Sequence, residues 1–248
     1  CGFGRAGLEC FYQLVANYNL NSKNIIVFTH NVKENECFIK HLKDNNINYS
    51  FSHINDCHKS LLNFSPNYLI SIYYRYIIKN NILEIVDYKA MNSHPSLLPK
   101  YRGTKSSVWA ILNGEVFTGI TYHYINEKID DGNIILQKKL EILDNDTAYS
   151  LYNKLISLFV ANFCNAFDKL QNKDLGYKQQ GAVSYYKREL PFGGIMKFED
   201  VTFSKAKLFV RSMYFPPYTG AIFLKKNGMK VEIKDLKDLD KYKNILKK

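Results

Sequence analysis

Two side chains with useful chemistry stand two residues apart in Met91-Asn92-Ser93-His94-Pro95-Ser96-Leu97-Leu98-Pro99. The apolar lead-in predicts the end of a strand, so Asn92 and His94 project from one face of the sheet. An amide N–H can donate to a developing oxyanion, and an imidazole can take or relay a proton at neutral pH. Side by side they suit acyl transfer. The plain alternative is a strand-end histidine satisfied by nearby backbone. A third group lies in Ile129-Asp130-Asp131-Gly132-Asn133, an acidic turn between two strand-like runs. Such turns are usually solvated corners, but a carboxylate here could orient His94 and raise its pKa. Near the start, Gly2-Phe3-Gly4-Arg5-Ala6-Gly7 has the spacing of a turn that cradles a pyrophosphate at a helix N-terminus. A dinucleotide site also wants an acid about 20 residues further on. The chain has Thr29, His30 and Asn31 there, so the glycines are read as a tight strand-to-helix turn.

In order and spacing, the runs NSHPSLLPKYRG, WAILNGE, TGITYH and IDDGNIILQ resemble the folate-dependent formyltransferase family. Its members act on glycinamide ribonucleotide, methionyl-tRNA and nucleotide-linked amino sugars. The resemblance is dense over 92–137 and extends from residue 1 to about 170. The family signature, Asn-x-His-x-Ser-Leu-Leu-Pro followed by Asp-x-Gly, is met by Asn92, His94 and Asp130; Asp131 takes the variable place and is the fallback. The resemblance implies that a primary amine attacks the formyl carbon of N10-formyltetrahydrofolate, giving a formamide and tetrahydrofolate. Asn92 would stabilise the oxyanion, His94 would act as general base or relay, and Asp130 would hold His94 directly or through a water. No metal is expected, because no His/Cys cluster has ligand spacing. The resemblance also implies a pterin pocket lined by Arg75, Tyr76, Ile77 and the stretch 127–130, with Glu127 and Ile129. Reading Ser71–Ile78 simply as a buried strand accounts for Ile72 and Tyr73, and poorly for Arg75.

The segment Phe209–Ala221 resembles the helix, turn and strand that follow the catalytic domain in the sugar-nucleotide branch. That branch implies an acceptor such as dTDP-4-amino-4,6-dideoxyglucose, formylated for O-antigen or other surface glycans. A substrate with a pyrophosphate and a planar base makes Lys79, Arg102 and Arg211 candidates for phosphate contact, and Phe215 and Tyr218 for stacking. The alternative is methionyl-tRNA as acceptor, with a shortened C-terminal domain.

The elements that must position these groups follow from periodicity. Residues 2–18 read as a turn and an amphipathic helix. Apolar strands are predicted at Asn24–Thr29, Tyr68–Tyr74 and Tyr88–Ser93, with a weaker one at Ile47–Ser52. Helices are predicted at Asn31–Asp44, Asp56–Asn63, Asn80–Val86, Ser106–Leu112 and Ala148–Leu170. Thr118–Tyr124 and Asn133–Leu140 are strand-like. This alternation predicts an α/β, Rossmann-like, mostly parallel sheet with helices on both faces over 1–171. A polar linker is expected over 172–185. A small C-terminal α+β region is expected over 186–248, with a helix at Ser204–Met213 and a hairpin turning at Lys226-Asn227-Gly228.

The chain has 248 residues and a formal charge of +11, from 34 Lys and Arg against 23 Asp and Glu. That balance invites a polyanion. From Lys225 on, however, nine Lys face four interleaved acids, so +5 of the charge sits in what reads as a solvated tail. A catalytically silent nucleic-acid module is the third reading, disfavoured because all three catalytic groups are present. The length is more than the purine enzyme needs and short for the tRNA enzyme. No apolar run approaches the ~20 residues of a membrane span. Five Cys without a close pair fit neither a disulfide frame nor a zinc site, so a reducing cytoplasm is the default. The glycine turn follows Cys1 directly, and a strand would normally lead into it, so the sequence is expected to be trimmed at its N-terminus. The expected partners are a nucleotide sugar and a second copy of the chain, joined through the C-terminal hairpin, with neither nucleic acid nor membrane.

Overall fold

The computed structural model of the chain describes residues 1–247. Residues 1–3 lie in strand register, with Gly2 N–H donating to the Phe28 carbonyl and Phe3 N–H to the Ile72 carbonyl. The chain then turns into α1 (Gly4–Asn17), β1 (Ile26–Phe28), α2 (Glu36–Asp44), β2 (Asn48–Ser50), α3 (His58–Phe64) and β3 (Leu69–Ile72). After α4 (Asn80–Leu83) come β4 (Ala90–His94), the two-residue β5 (Arg102–Gly103), α5 (Ser106–Leu112), β6 (Phe117–Tyr124) and β7 (Ile134–Glu141). The long α6 (Ala148–Gln171) follows, then β8 (Tyr185–Tyr186) and β9 (Ile195–Lys197). The chain ends with α7 (Phe203–Met213), β10 (Ala221–Leu224), β11 (Lys230–Ile233) and α8 (Leu236–Asp240).

β2 and β1 pair in parallel, residues 1–3 bridge β1 to β3, and the sheet continues through β4 and β6 to β7. It is parallel as far as β4, then antiparallel across β4–β6 and β6–β7. The sheet is mostly parallel, as expected, with two antiparallel pairs at its β6–β7 end. The physical reason at β6–β7 is the loop 125–133, too short for the crossover of about a dozen residues or more that a parallel pair requires.

α6 covers one face of the sheet. Its buried Leu151, Leu155, Phe159, Phe163, Phe167 and Leu170 recur every three or four residues and meet Tyr122, Ile120 and Ile135 of the sheet and Cys10 of α1. Thr147 and Ser150 form a reciprocal capping box that starts the helix. The C-terminal region has its own small core, built on Phe198, Phe209, Phe223 and Leu239 between α7, α8 and the sheet β9-β10-β11. Val108 of α5 and Ala148 of α6 are part of that core, so the region is packed onto the main domain. The hairpin forms at the expected turn, with Ala221 opposite Ile233. β9, which pairs in parallel with β10, was not legible as a strand.

The stretch expected as a linker is not a free spacer. Tyr177 pairs with Ile134 in an antiparallel bridge. Arg102 N–H donates to the Ser184 carbonyl, Thr104 N–H to the Tyr186 carbonyl, and β8 pairs in parallel with β5. Residues 174–187 therefore form a strap across the loops that carry the chemistry.

Phe159 is fully buried at the centre of the main core. Phe159→Ala is expected to cost about 3–5 kcal/mol, read as a lowered midpoint in a denaturant unfolding curve.

Candidate active site

β4 delivers Asn92 and His94 to the C-terminal edge of the parallel strands, and the β6–β7 loop brings Asp130 across to meet them. His94 Nδ1 lies 3.3 Å from Asp130 Oδ2. Asn92 Nδ2 donates to Asp130 Oδ1 at 3.4 Å. The Gly103 N–H donates to Asp130 Oδ2 at 2.8 Å. His94 Nε2 faces the Tyr101 carbonyl at 2.7 Å. A carbonyl only accepts, so Nε2 carries the hydrogen and Nδ1 of the neutral ring is an acceptor.

The sequence did not point to His123, yet β6 sets it directly opposite Asn92. Its Nδ1 faces the Tyr124 carbonyl at 2.7 Å, so Nδ1 donates and Nε2 accepts from Asn92 Nδ2 at 3.2 Å. Nε2 also lies 3.5 Å from Asp130 Oδ1. His123 thereby fixes which way the Asn92 amide points. The β4–β6 register is the signal that finds it.

Burial drives the ionisation states. It pushes His94 below its ordinary imidazole range, while Asp130 and the Tyr101 carbonyl pull the other way. Burial also works against ionised Asp130. The protonated forms of His94 and His123, with the Gly103 N–H, outweigh that and hold the carboxyl well below the usual carboxylate range. Two acceptors, the Asp130 carboxylate and the His94 Nδ1 lone pair, thus face each other. A proton donor placed between them satisfies both.

The loop geometry is exacting. Asp130 has φ +51°, the left-handed region that few residues other than glycine adopt without strain. Two residues on, Gly132 passes so close to Tyr124 that an added Cβ would overlap its carbonyl oxygen.

These groups line a cleft of about 490 Å³ walled by 73–78 on one side and by 125–126 and 128–130 on the other. Tyr76, Ile77 and Ile129 flank it with exposed apolar surface. A larger cavity of about 680 Å³ sits among the starts of β1 and β3 and carries no imidazole or carboxylate. Among the described residues no group of three or more His, Cys, Asp or Glu could hold a metal ion.

The sequence profile described as "Formyl transferase" matches residues 21–164. The chain belongs to the formyl transferase family. It is 34% identical over 251 aligned residues to the GDP-perosamine N-formyltransferase of Brucella melitensis, covering 99% of this chain and 94% of that protein. The structure of WlaRD, a sugar 3N-formyl transferase determined with dTDP and 5-N-formyl-THF, superposes with a TM-score of 0.75 at 27% identity over 89% of this chain and 80% of that one. The N-formyltransferase from Helicobacter canadensis, solved with folinic acid and dTDP-3-aminofucose, gives 0.74 at 25% identity over 88% and 80%. The methionyl-tRNA formyltransferase of Thermodesulfovibrio yellowstonii is 38% identical, over only 51% of this chain and 42% of its own length.

Within this family fold the expected site residues fall in distinct places. Asn92, His94 and Asp130 come together, and Arg75, Tyr76, Ile77 and Ile129 line the same cleft. The Arg75 guanidinium lies over the Phe3 ring, 3.8 Å from its centroid. Glu127 is outside the lining, accepting a hydrogen bond from Asn80. Asp131, the fallback for Asp130, instead ion-pairs with Arg102 at 2.5 Å.

Two of the three expected phosphate contacts, Arg102 and Arg211, are engaged elsewhere, and the third, Lys79, does not line the cleft. Arg102 is held by Asp131 and Gln179. Arg211 donates to the Asp146 and Leu143 carbonyls in the loop before α6. Lys79 N–H bonds Asn55 at the start of α4, outside the cleft. Phe215 packs edge-on against Tyr149 and Tyr152, and Tyr218 is exposed beside it; neither lines the cleft. In their place the cleft has Lys105, Tyr185 and Arg188, the last two on the strap or just past it. Nothing in the sequence pattern marks Tyr185 and Arg188, because only the β5–β8 pairing brings that segment to the cleft.

Acid should destabilise the fold through this site. The His94 pKa is below its ordinary 6.5 in the folded chain, so the unfolded chain binds a proton there first. The stability tied to neutral His94 is full above 6.5 and is lost as pH falls through the lowered folded value. Asp130, held below its ordinary 3.8, acts with the same sign at lower pH. The unfolding midpoint is expected to drop as pH falls below about 6.5, and His94→Gln should flatten part of that drop. An equal slope in the variant would contradict the assignment.

Proposed function

We propose that this chain transfers the formyl group of N10-formyltetrahydrofolate to the amine of a nucleotide-linked amino-deoxysugar. The observation that carries the reading is the convergence of Asn92, His94 and Asp130 at the floor of one cleft. The near full-length relation to a GDP-perosamine N-formyltransferase supports it.

N10-formyltetrahydrofolate supplies the formyl carbon. Arg75, Tyr76, Ile77 and Ile129 would hold its pterin, covering exposed apolar surface in doing so. The incoming amine places an N–H between His94 Nδ1 and Asp130, where two acceptors await it. As the new N–C bond forms, Asn92 turns one amide hydrogen from its long contact with Asp130 to the developing oxyanion. His94 takes the amine proton at Nδ1, its ring held by the Nε2–H bond to Tyr101. The proton passes to N10 as the C–N10 bond breaks, leaving a formamide and tetrahydrofolate.

Lys105 and Arg188 would meet the pyrophosphate. Both line the cleft, and neither has an acidic partner within ion-pair distance among the described residues. Burial, then the neighbouring Arg188 charge, lowers the Lys105 pKa, so an anion is welcome there. Tyr185 offers a ring for the base or sugar. The acceptors proposed are dTDP-4-amino-4,6-dideoxyglucose and GDP-perosamine, both nucleotide-linked amino sugars and both suited to surface-glycan synthesis such as O-antigen in the cytoplasm. A second copy would join through the C-terminal sheet.

The deciding assay incubates the protein and N10-formyltetrahydrofolate with these two nucleotide sugars, a UDP-amino sugar and methionyl-tRNA, and reads products by mass spectrometry. A formylated nucleotide sugar is expected. Formylmethionyl-tRNA with no sugar product would overturn the reading. Asn92→Ala is expected to lower kcat about 100- to 1000-fold, and His94→Ala about 10²- to 10⁴-fold, each with the fold retained by circular dichroism.

A further inference from the structure

The catalytic carboxylate stands at a left-handed φ in a loop of one sheet strand pair, and something must keep it there. Gln179, on the strap that follows α6, spans the gap. Its Nε2 donates to the Asp130 carbonyl at 2.8 Å and to the Gly132 carbonyl at 2.9 Å. Its Oε1 accepts from Arg102 Nη2 at 2.7 Å. The orientation has one solution. Two carbonyls can only accept and a guanidinium can only donate, so turning the amide over would lose every bond. Arg102 in turn pairs with Asp131 at 2.5 Å, with its side chain only 12% exposed. One residue further along, the Gly103 N–H holds the Asp130 carboxylate itself. Gln179 thus grips the backbone on both sides of Asp131, and Arg102 closes the ring through Asp131's side chain.

We infer that Gln179 is a positioning residue for formyl transfer, locking the Asp130 loop so that its carboxylate faces His94. The same network assigns Arg102 to the clamp and away from the substrate phosphate. Gln179 touches neither reacting group; it acts through Asp130. The inference rests on the formyl-transfer reading for its kinetic arm, and has a second arm that does not.

Three variants test it: Gln179→Met, which keeps the length and removes both polar ends; Gln179→Glu, which keeps the acceptor for Arg102 and sets an acceptor against the two carbonyls; and Lys178→Ala, an exposed neighbour, as control. With the acceptor found for the wild type, kcat of the Met and Glu variants is expected to fall roughly 10- to 100-fold, with KM for both substrates little changed. Lys178→Ala should match wild type. The independent readout is the titration of the His94 ring carbon by NMR. Asp130 raises the His94 pKa, so a loosened loop should let the Met variant's His94 titrate at lower pH than in wild type. Folded variants with unchanged kcat would overturn the inference, as would a lost kcat with the His94 titration unmoved. If the wild type formylates no nucleotide sugar, the acceptor reading fails, while the titration still decides the role of Gln179.

Discussion

A buried carboxylate is costly unless every oxygen is answered. Asp130 is that carboxylate here, and much of the fold can be read as the means of answering it. One oxygen takes the Gly103 N–H and faces His94; the other takes Asn92 and lies near His123. Those partners come from β4, β5 and β6, three elements that are neighbours only in the folded sheet. Without the Gly103 N–H or the Asn92 amide, one carboxylate oxygen loses its hydrogen-bond donor.

The strap meets the same loop. Between α6 and the C-terminal region the chain takes a path dense with hydrogen bonds, pairing with Ile134, with 99–104, and through Gln179 with the Asp130 loop. The C-terminal region is thus tied to the chemistry by the segment leading to it, as well as by its core against α5 and α6. The same segment delivers Tyr185 and Arg188 to the cleft mouth. One stretch of polar chain holds the Asp130 loop and contributes to the wall of the cleft.

Legibility in the sequence followed the range of the interaction. The helix Ala148–Gln171 announced itself through a long 3.6-residue apolar period, and the hairpin through Asn-Gly. Asn92 and His94 were visible because a strand places alternate residues on one face. His123 was not, because its role comes from the register of β6 against β4. β5, β8 and β9 run for two or three residues, too short for any period, and exist only as pairs. Arg102 and Gln179 are 77 residues apart, so charge alone made Arg102 look like a phosphate contact. The same held for Arg211, whose fork closes on carbonyls 65 and 68 residues away.

The sequence by itself determined the chemistry available: an amide and an imidazole at strand spacing, an acid in a turn before glycine, and the alternation that builds an α/β sheet. Those are local properties, set by residue type and by periods of two and 3.6. Only the tertiary structure decided which of two adjacent acids faces His94, which arginines are already engaged, and what holds the loop. Those depend on burial and on partners distant along the chain. Asp130 and Asp131 are identical side chains, and what separates them is that one points at His94 and the other at Arg102.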